Sequence, residues 1–185
     1  STCPRRSSPT LDPKGSPAYV LGIDPGTTGM GYAVLDPRGE PATVVACGIV
    51  EVPRGASAAE RLLAIAAALD LLIAEHAPRA LALERLFFNR NVRTAMAVSE
   101  ARGVVLLCGA RAGLEVAEYT PQEVKLSVTG SGGADKKAVQ RMIGLLARLE
   151  RPITEDNVAD AIAIALTHAR RSRLAERLEA EVREA

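Results

Sequence analysis

The chain has 185 residues, 48% of them hydrophobic, and a formal net charge of +1. That length suits one domain with a sizeable core, and the near-neutral balance excludes overall charge as a guide to a partner, so nucleic acid would need a local basic patch. No apolar run approaches the ~20 residues that span a membrane, and three cysteines without CxxC spacing argue against both a disulfide framework and a thiolate metal site.

In chain order, residues 1–18, STCPRRSSPTLDPKGSPA, carry charge but no apolar segment of the kind that directs secretion. Their Pro, Ser and Gly content predicts a disordered lead-in. The cysteine usage fits a reducing cytosol. Residues 19–24 read as a first strand and 31–35 as a second, joined by a Gly-rich turn at 25–29. Residues 43–52 read as a third strand with Gly48 as its bulge, giving an antiparallel meander. Ser57 and Glu60 form a capping box for a helix that ends at Pro78. A short apolar strand over 79–85 follows, then a helix over 92–112 with Asn91 as a candidate cap. Residues 114–120 predict a fifth strand. Thr120, Pro121 and Glu123 predict the start of a short helix that stops near Gly130. Further helices are expected over 134–149 and from 155, capped by Thr154, to about 170. Residues 171–185 form a charged tail that can extend the last helix. With 19–170 as the domain, the order predicts an α/β fold: a mixed five-stranded sheet with helices on both faces.

Three carboxylates stand in apolar settings. Asp24 closes the first strand in Asp-Pro-Gly, which is also a turn signal. Glu84 closes ALALE, where a surface Glu paired with Arg85 is the plainer reading. Asp160 lies in VADAIAIAL, a helix apolar nearly all round and so expected to be buried. An unpaired carboxylate there costs several kcal/mol or takes up a proton. The strands ending in Asp24 and Glu84 can be parallel neighbours, and open α/β sheets build their sites at that edge. With Asp160 packed across the edge, three hard oxygen donors share one pocket. Such donors suit Mg²⁺ or Mn²⁺, and a pair of ions roughly 4 Å apart supports phosphodiester hydrolysis.

The stretches LGIDPGTTGMGYAV, LERLFFNRN, ARGVVL, EYTPQEVKLSVTGSGGADKKAVQRM and DNVADAIAIALTH, in register over residues 19–168, resemble the RuvC family of Holliday-junction resolvases. The resemblance implies a ribonuclease-H-like fold and a homodimeric, metal-dependent endonuclease that nicks two strands of a four-way DNA junction symmetrically. It implies RuvA and RuvB as branch-migration partners and a cytoplasmic, nucleoid-associated location. Asp24, Glu84 and Asp160 match three of the family's four acids. At the fourth position this chain carries Asn157, with Asp156 beside it as a possible substitute ligand. Asn157 can ligate through its amide oxygen but brings no charge, so Mn²⁺ is expected to support cleavage better than Mg²⁺.

Lys125, Lys136, Lys137 and Arg141 fall around the Gly-rich loop, and Arg85, Arg90 and Arg93 follow Glu84. Such cations can bind the phosphates beside a scissile bond, although scattered charge more often marks a solvated helix face. The resemblance favours Lys125 and Lys136. Phe87 and Phe88 are the only phenylalanines. One exposed ring there could stack on an opened base, and the resemblance selects Phe87. His168, beyond the last apolar stretch, reads as a helix-end residue favourable to the dipole. Arg170, Arg171 and Arg173 could touch DNA. The helix over 92–112 offers a dimer face, since paired nicks need two sites related by two-fold symmetry. Two readings compete with the nuclease: an actin-like or sugar-kinase-like ATP-binding domain, which needs a second phosphate loop that this chain lacks, and a junction-binding protein that does not cleave.

Overall fold

The computed structural model describes residues 19–25, 29–52, 55–85, 92–149 and 153–184, without the side chains of 92–94 and 184. The expected lead-in at 1–18, the turn residues 26–28, and Phe87, Phe88, Arg90 and Asn91 lie outside these residues, as does the side chain of Arg93.

Five strands form one sheet: β1 (Val20–Asp24), β2 (Met30–Asp36), β3 (Thr43–Val50), β4 (Ala80–Glu84) and β5 (Glu115–Tyr119). Their spatial order is β3-β2-β1-β4-β5. The pairs β1–β2 and β2–β3 are antiparallel, whereas β1–β4 and β4–β5 are parallel. This is the expected mixed sheet, and the arrangement is ribonuclease-H-like. The bulge is not at Gly48. It falls in β3 at Val45, where the register moves between Val34↔Ala46 and Leu35↔Val44. Gly48 pairs regularly with Tyr32, and its missing side chain makes room for the Tyr32 ring, 3.1 Å from where a Cβ would stand.

Strand side chains alternate between faces, and the alternation divides the core in two. Leu21, Ile23, Val34, Leu81 and Leu83 bury against α1 (Ala58–His76) and α2 (Val92–Arg111). Val20, Ala33, Leu35, Ala82 and Tyr119 bury against α3 (Pro121–Thr129), α4 (Lys136–Leu146) and α5 (Asp156–Glu184). The capping boxes at Ser57–Glu60 and Thr120–Glu123 form as expected. Two helix starts shift inward. Asp135, not Ala134, opens α4 by accepting from the Ala138 N–H at 2.7 Å. At α5 the Glu155 carbonyl accepts the first helical bond, from Ala159, so Glu155 stands in the cap position expected of Thr154 and Asp156 is the first helical residue.

The longest helix, α5, runs past residue 170 through the charged segment to Glu184. That segment has no Gly or Pro and is rich in Arg, Glu, Leu and Ala, all good helix formers. Arg173 anchors its start, pairing with Glu40 at 2.9 Å and donating to the carbonyls of Gly39, at 3.0 Å, and Pro37. Arg170 donates to the Ser127 carbonyl, and Arg171 pairs with Glu123 at 3.1 Å. All three arginines proposed for DNA are thus engaged with the body of the domain.

Two glycines let α5 lie close on the sheet. A Cβ at Gly31 would stand 2.0 Å from the Asn157 carbonyl oxygen. One at Gly22 would stand 2.3 Å from the Ala161 carbonyl oxygen and 2.8 Å from the Ala165 Cβ. Asn157, Ala161 and Ala165 recur every fourth residue, so they form one seam of the helix. A side chain at either glycine would prevent this approach.

Candidate active site at the carboxyl edge of the sheet

Parity fixes which way the strand-end acids point. Asp24 follows Val20 and Gly22 at even spacing, and Glu84 follows Ala80 and Ala82. Both acids therefore belong to the face that α5 covers. Tyr119, the register partner of Glu84, belongs to the same face. The close seam at Gly22 and Gly31 then carries Asp160, one residue before Ala161, over the ends of β1 and β4.

The electrostatics report this convergence. Asp24 is pushed up to about 7 from 3.8, by burial first and then by the charges of Asp160 and Glu84, with Lys136 opposing. Glu84 is raised by burial and by Asp160, with Lys125 opposing. Asp160 is raised chiefly by burial, with Lys136 and Lys125 opposing and Asp156 adding to the rise. The three acids share one field, and two lysines share it with them. They do not yet enclose an ion: among the described residues, no three His, Cys, Asp or Glu side chains stand close enough to do so. The donor set still fits a hard divalent cation. Three half-buried carboxylates raise one another's proton affinity, and a positive ion between them would reverse that effect.

The two candidates for a fourth donor are placed differently. Asp156 is exposed and pairs with Lys136 at 2.8 Å, and its other oxygen lies 3.4 Å from the Gln140 amide nitrogen. Asn157 is half-buried. Its Nδ2 donates to the Gly29 carbonyl at 2.9 Å, which fixes the amide plane and leaves Oδ1 as its acceptor.

Lys125 and Lys136 both lie within electrostatic reach of the acids. Lys137 and Arg141 are exposed on α4. Arg85 is exposed beyond β4, within electrostatic reach of Glu123. His168 is not a helix-end residue. It sits inside α5, 4% exposed, with Nδ1 2.9 Å from the Tyr119 hydroxyl and Nε2 3.3 Å from Ser172 Oγ. This buried chain escapes a sequence reading, because only the β4–β5 register places Tyr119 beside Glu84.

The fold has known counterparts. The family model described as "Crossover junction endodeoxyribonuclease RuvC" matches residues 20–168. A protein of that name from Heliobacterium modesticaldum is 48% identical over 147 residues, covering 80% of this chain and 91% of its own. One from Moorella thermoacetica is 46% identical over 150 residues, covering 81% and 90%. Among solved structures, T. thermophilus RuvC in complex with Holliday junction substrate superposes with a TM-score of 0.81 at 34% identity, covering 85% of this chain and 96% of that one. The matched region holds all three strand- and helix-borne acids, and the chain belongs to the RuvC family of crossover junction endodeoxyribonucleases.

Proposed function

We propose that this chain is a structure-selective, metal-dependent endonuclease that resolves four-way DNA junctions by paired symmetric nicks. The observation that carries this is the placement of Asp24 and Glu84 at the ends of two parallel neighbouring strands, on the face where α5 lies close and bears Asp160. A structural carboxylate is ordinarily paired with a cation or hydrogen-bonded in its charged form. An enzyme that must concentrate positive charge on a phosphodiester has reason to hold three acids together.

In this reading Asp24, Glu84 and Asp160 hold the divalent cations, and Asn157 adds its amide oxygen. Two such ions, when bound, would activate water and stabilise the departing 3′ oxygen, leaving 5′-phosphate and 3′-hydroxyl ends. Lys125 and Lys136 neutralise the phosphates on either side of the scissile bond. Lys136 is held at the rim by Asp156, so Asp156 positions a cation and Asn157 serves as the fourth donor. With that donor neutral, Mn²⁺, which accepts less ideal ligation than Mg²⁺, supports the faster reaction. A homodimer supplies the two-fold pair of sites that symmetric nicking needs, and the outward face of α2, with Met96 and Leu107 exposed, is its contact. Phe87 is assigned to a base contact by resemblance, and Arg90 and Lys137, cations close in sequence to Glu84 and Lys136, to phosphate contact.

The test is direct. A synthetic mobile junction is incubated with the purified protein and Mn²⁺, in parallel with Asp24→Asn. Paired nicks from the wild type, with retained binding and no nicks from the variant, support the proposal. Tight junction binding by the wild type without scission under Mn²⁺ or Mg²⁺ would favour the non-cleaving binder instead.

A further inference from the structure

One buried polar chain has no part in the reading above. Tyr119, 5% exposed, ends β5, and His168, 4% exposed, faces it from α5. The Tyr119 Oη–His168 Nδ1 separation is 2.9 Å, and Ser172 Oγ lies 3.3 Å from His168 Nε2. Burial raises the phenol and lowers the imidazole, so both stay neutral near pH 7. Either neutral tautomer of the imidazole satisfies both hydrogen bonds.

The position of this chain is what matters. Tyr119 is the register partner of Glu84, and its carbonyl accepts the Arg85 N–H at 2.7 Å. His168 lies eight residues beyond Asp160, on the same side of α5, by steps of four through Ile164. The Tyr119–His168 bond therefore ties the end of β5, which is hydrogen-bonded to the strand end that bears Glu84, to the helix that bears Asp160. Those two acids repel each other. The glycine seam at Gly22 and Gly31 holds α5 to β1 and β2, and the Tyr119–His168 bond opposes that repulsion on the β4–β5 side. Arg171 stacks over the Tyr119 ring at 5.4 Å and pairs with Glu123 at 3.1 Å, which holds the same ring from the solvent side.

We infer that the Tyr119–His168 hydrogen bond is a positioning clamp that sets the Glu84–Asp160 spacing and so the affinity for the divalent cation. This rests on the reading of those acids as cation ligands. Tyr119→Phe keeps the ring, its packing and its stacking with Arg171 and removes only the hydroxyl. His168→Asn keeps an acceptor where Nδ1 stands, whereas His168→Leu does not.

The readout is Mn²⁺ binding by titration calorimetry on the full chain without DNA, together with Mn²⁺-dependent nicking and junction affinity in EDTA. Supporting residues around a metal ligand commonly change affinity by roughly 10–100-fold. A clamp one residue removed should act at the lower end, about tenfold. Tyr119→Phe and His168→Leu should therefore weaken Mn²⁺ about tenfold, leave junction affinity unchanged, and recover most of the nicking rate at saturating Mn²⁺. His168→Asn should restore Mn²⁺ affinity to within roughly threefold of wild type. A wild-type Mn²⁺ affinity in Tyr119→Phe overturns the clamp, as does a loss that His168→Asn fails to restore. Asp24→Asn is the control. If it too binds Mn²⁺ normally, the cation site itself is misread. If it loses Mn²⁺ while Tyr119→Phe does not, the clamp alone fails.

Discussion

Asp24 makes the metal-free fold less stable than it would be with a neutral residue in its place. Its proton affinity rises from an ordinary 3.8 to about 7 on folding. Between about pH 4 and 7 the folded chain therefore binds a proton that the unfolded chain has released. Stability is highest below that window and falls as pH rises through it. His168 acts with the opposite sign: burial lowers it from 6.5, so it destabilises the fold as pH drops below that value. The two effects are separable by mutation. In EDTA at pH 8, Asp24→Asn should stabilise the protein by a few kcal/mol, with about 4 kcal/mol as the ceiling for a rise from 3.8 to about 7. Near pH 4 the gain should disappear. Saturating Mn²⁺ should stabilise the wild type and not the variant. Urea melts at the two pH values decide this, and equal stability of both proteins at pH 8 would refute the burial-and-repulsion account. At the neighbouring position, Asn157→Asp should raise the Mg²⁺-supported nicking rate by at least roughly tenfold and narrow its gap to Mn²⁺, since a charged oxygen replaces a neutral one. A side-by-side metal titration checks it, and a rate with Mg²⁺ already equal to Mn²⁺ in the wild type would remove its premise.

The elements deliver these residues through close packing. The seam of Asn157, Ala161 and Ala165 on Gly22 and Gly31 has no slack. Gly31→Ala would place a methyl 2.0 Å from the Asn157 carbonyl, so the helix must lift or the strand must bend. Overpacking of this kind costs about 1–3 kcal/mol, and the upper end is expected here because both neighbours are backbone. The same shift would move Asp160 and Asn157 away from Asp24, so nicking should fall by more than the stability loss explains. Gly48→Ala is the comparison: its methyl meets the Tyr32 ring at 3.1 Å, on the strand away from the site, and activity should be retained. Urea denaturation and junction nicking on both variants test this, and equal effects on nicking would refute it.

The element scale also marks what the sequence could disclose. Short runs rich in apolar residues identified all five strands, and the capping boxes at Ser57 and Thr120 located two helix starts, because each is a signal within a few residues. Asp160 stood out because an acid in an otherwise apolar helix has no local reason to be there. The Val45 bulge, the closeness of α5 and the Tyr119–His168 bond were not legible, since each depends on register or on contact between elements far apart in the chain. Arg170, Arg171 and Arg173 read as free cations for the same reason: their partners Ser127, Glu123 and Glu40 lie 43 to 133 residues away in sequence.

For the whole molecule, the proposed pairing is between α2 and a second copy. Along α2, Val105 and Cys108 are buried inward, whereas Met96 is 61% and Leu107 62% exposed. Gly103 lies between them with nothing within 4 Å of where a Cβ would be. A helix face with two large apolar side chains flanking a glycine admits another helix at short distance, and its cost in water is removed by self-association. Ion pairs of Arg61 with Glu100 at 2.9 Å and of Arg111 with Asp70 fix α2 against α1, so the face is presented on a rigid base. Leu107→Glu places a charge at the centre of that contact, where a second copy would bring an identical charge against it. Light scattering at micromolar concentration should find a dimer in the wild type and a monomer in the variant. Because the acids, lysines and Tyr119–His168 bond all lie within one chain, the monomer should keep its Mn²⁺ affinity. What it should lose is simultaneity: on a supercoiled plasmid with an extruded cruciform, the dimer yields linear product directly, whereas the monomer should accumulate nicked circles first. Linear product from a proven monomer without a nicked intermediate would mean that one site makes both cuts, and the two-fold argument would fall.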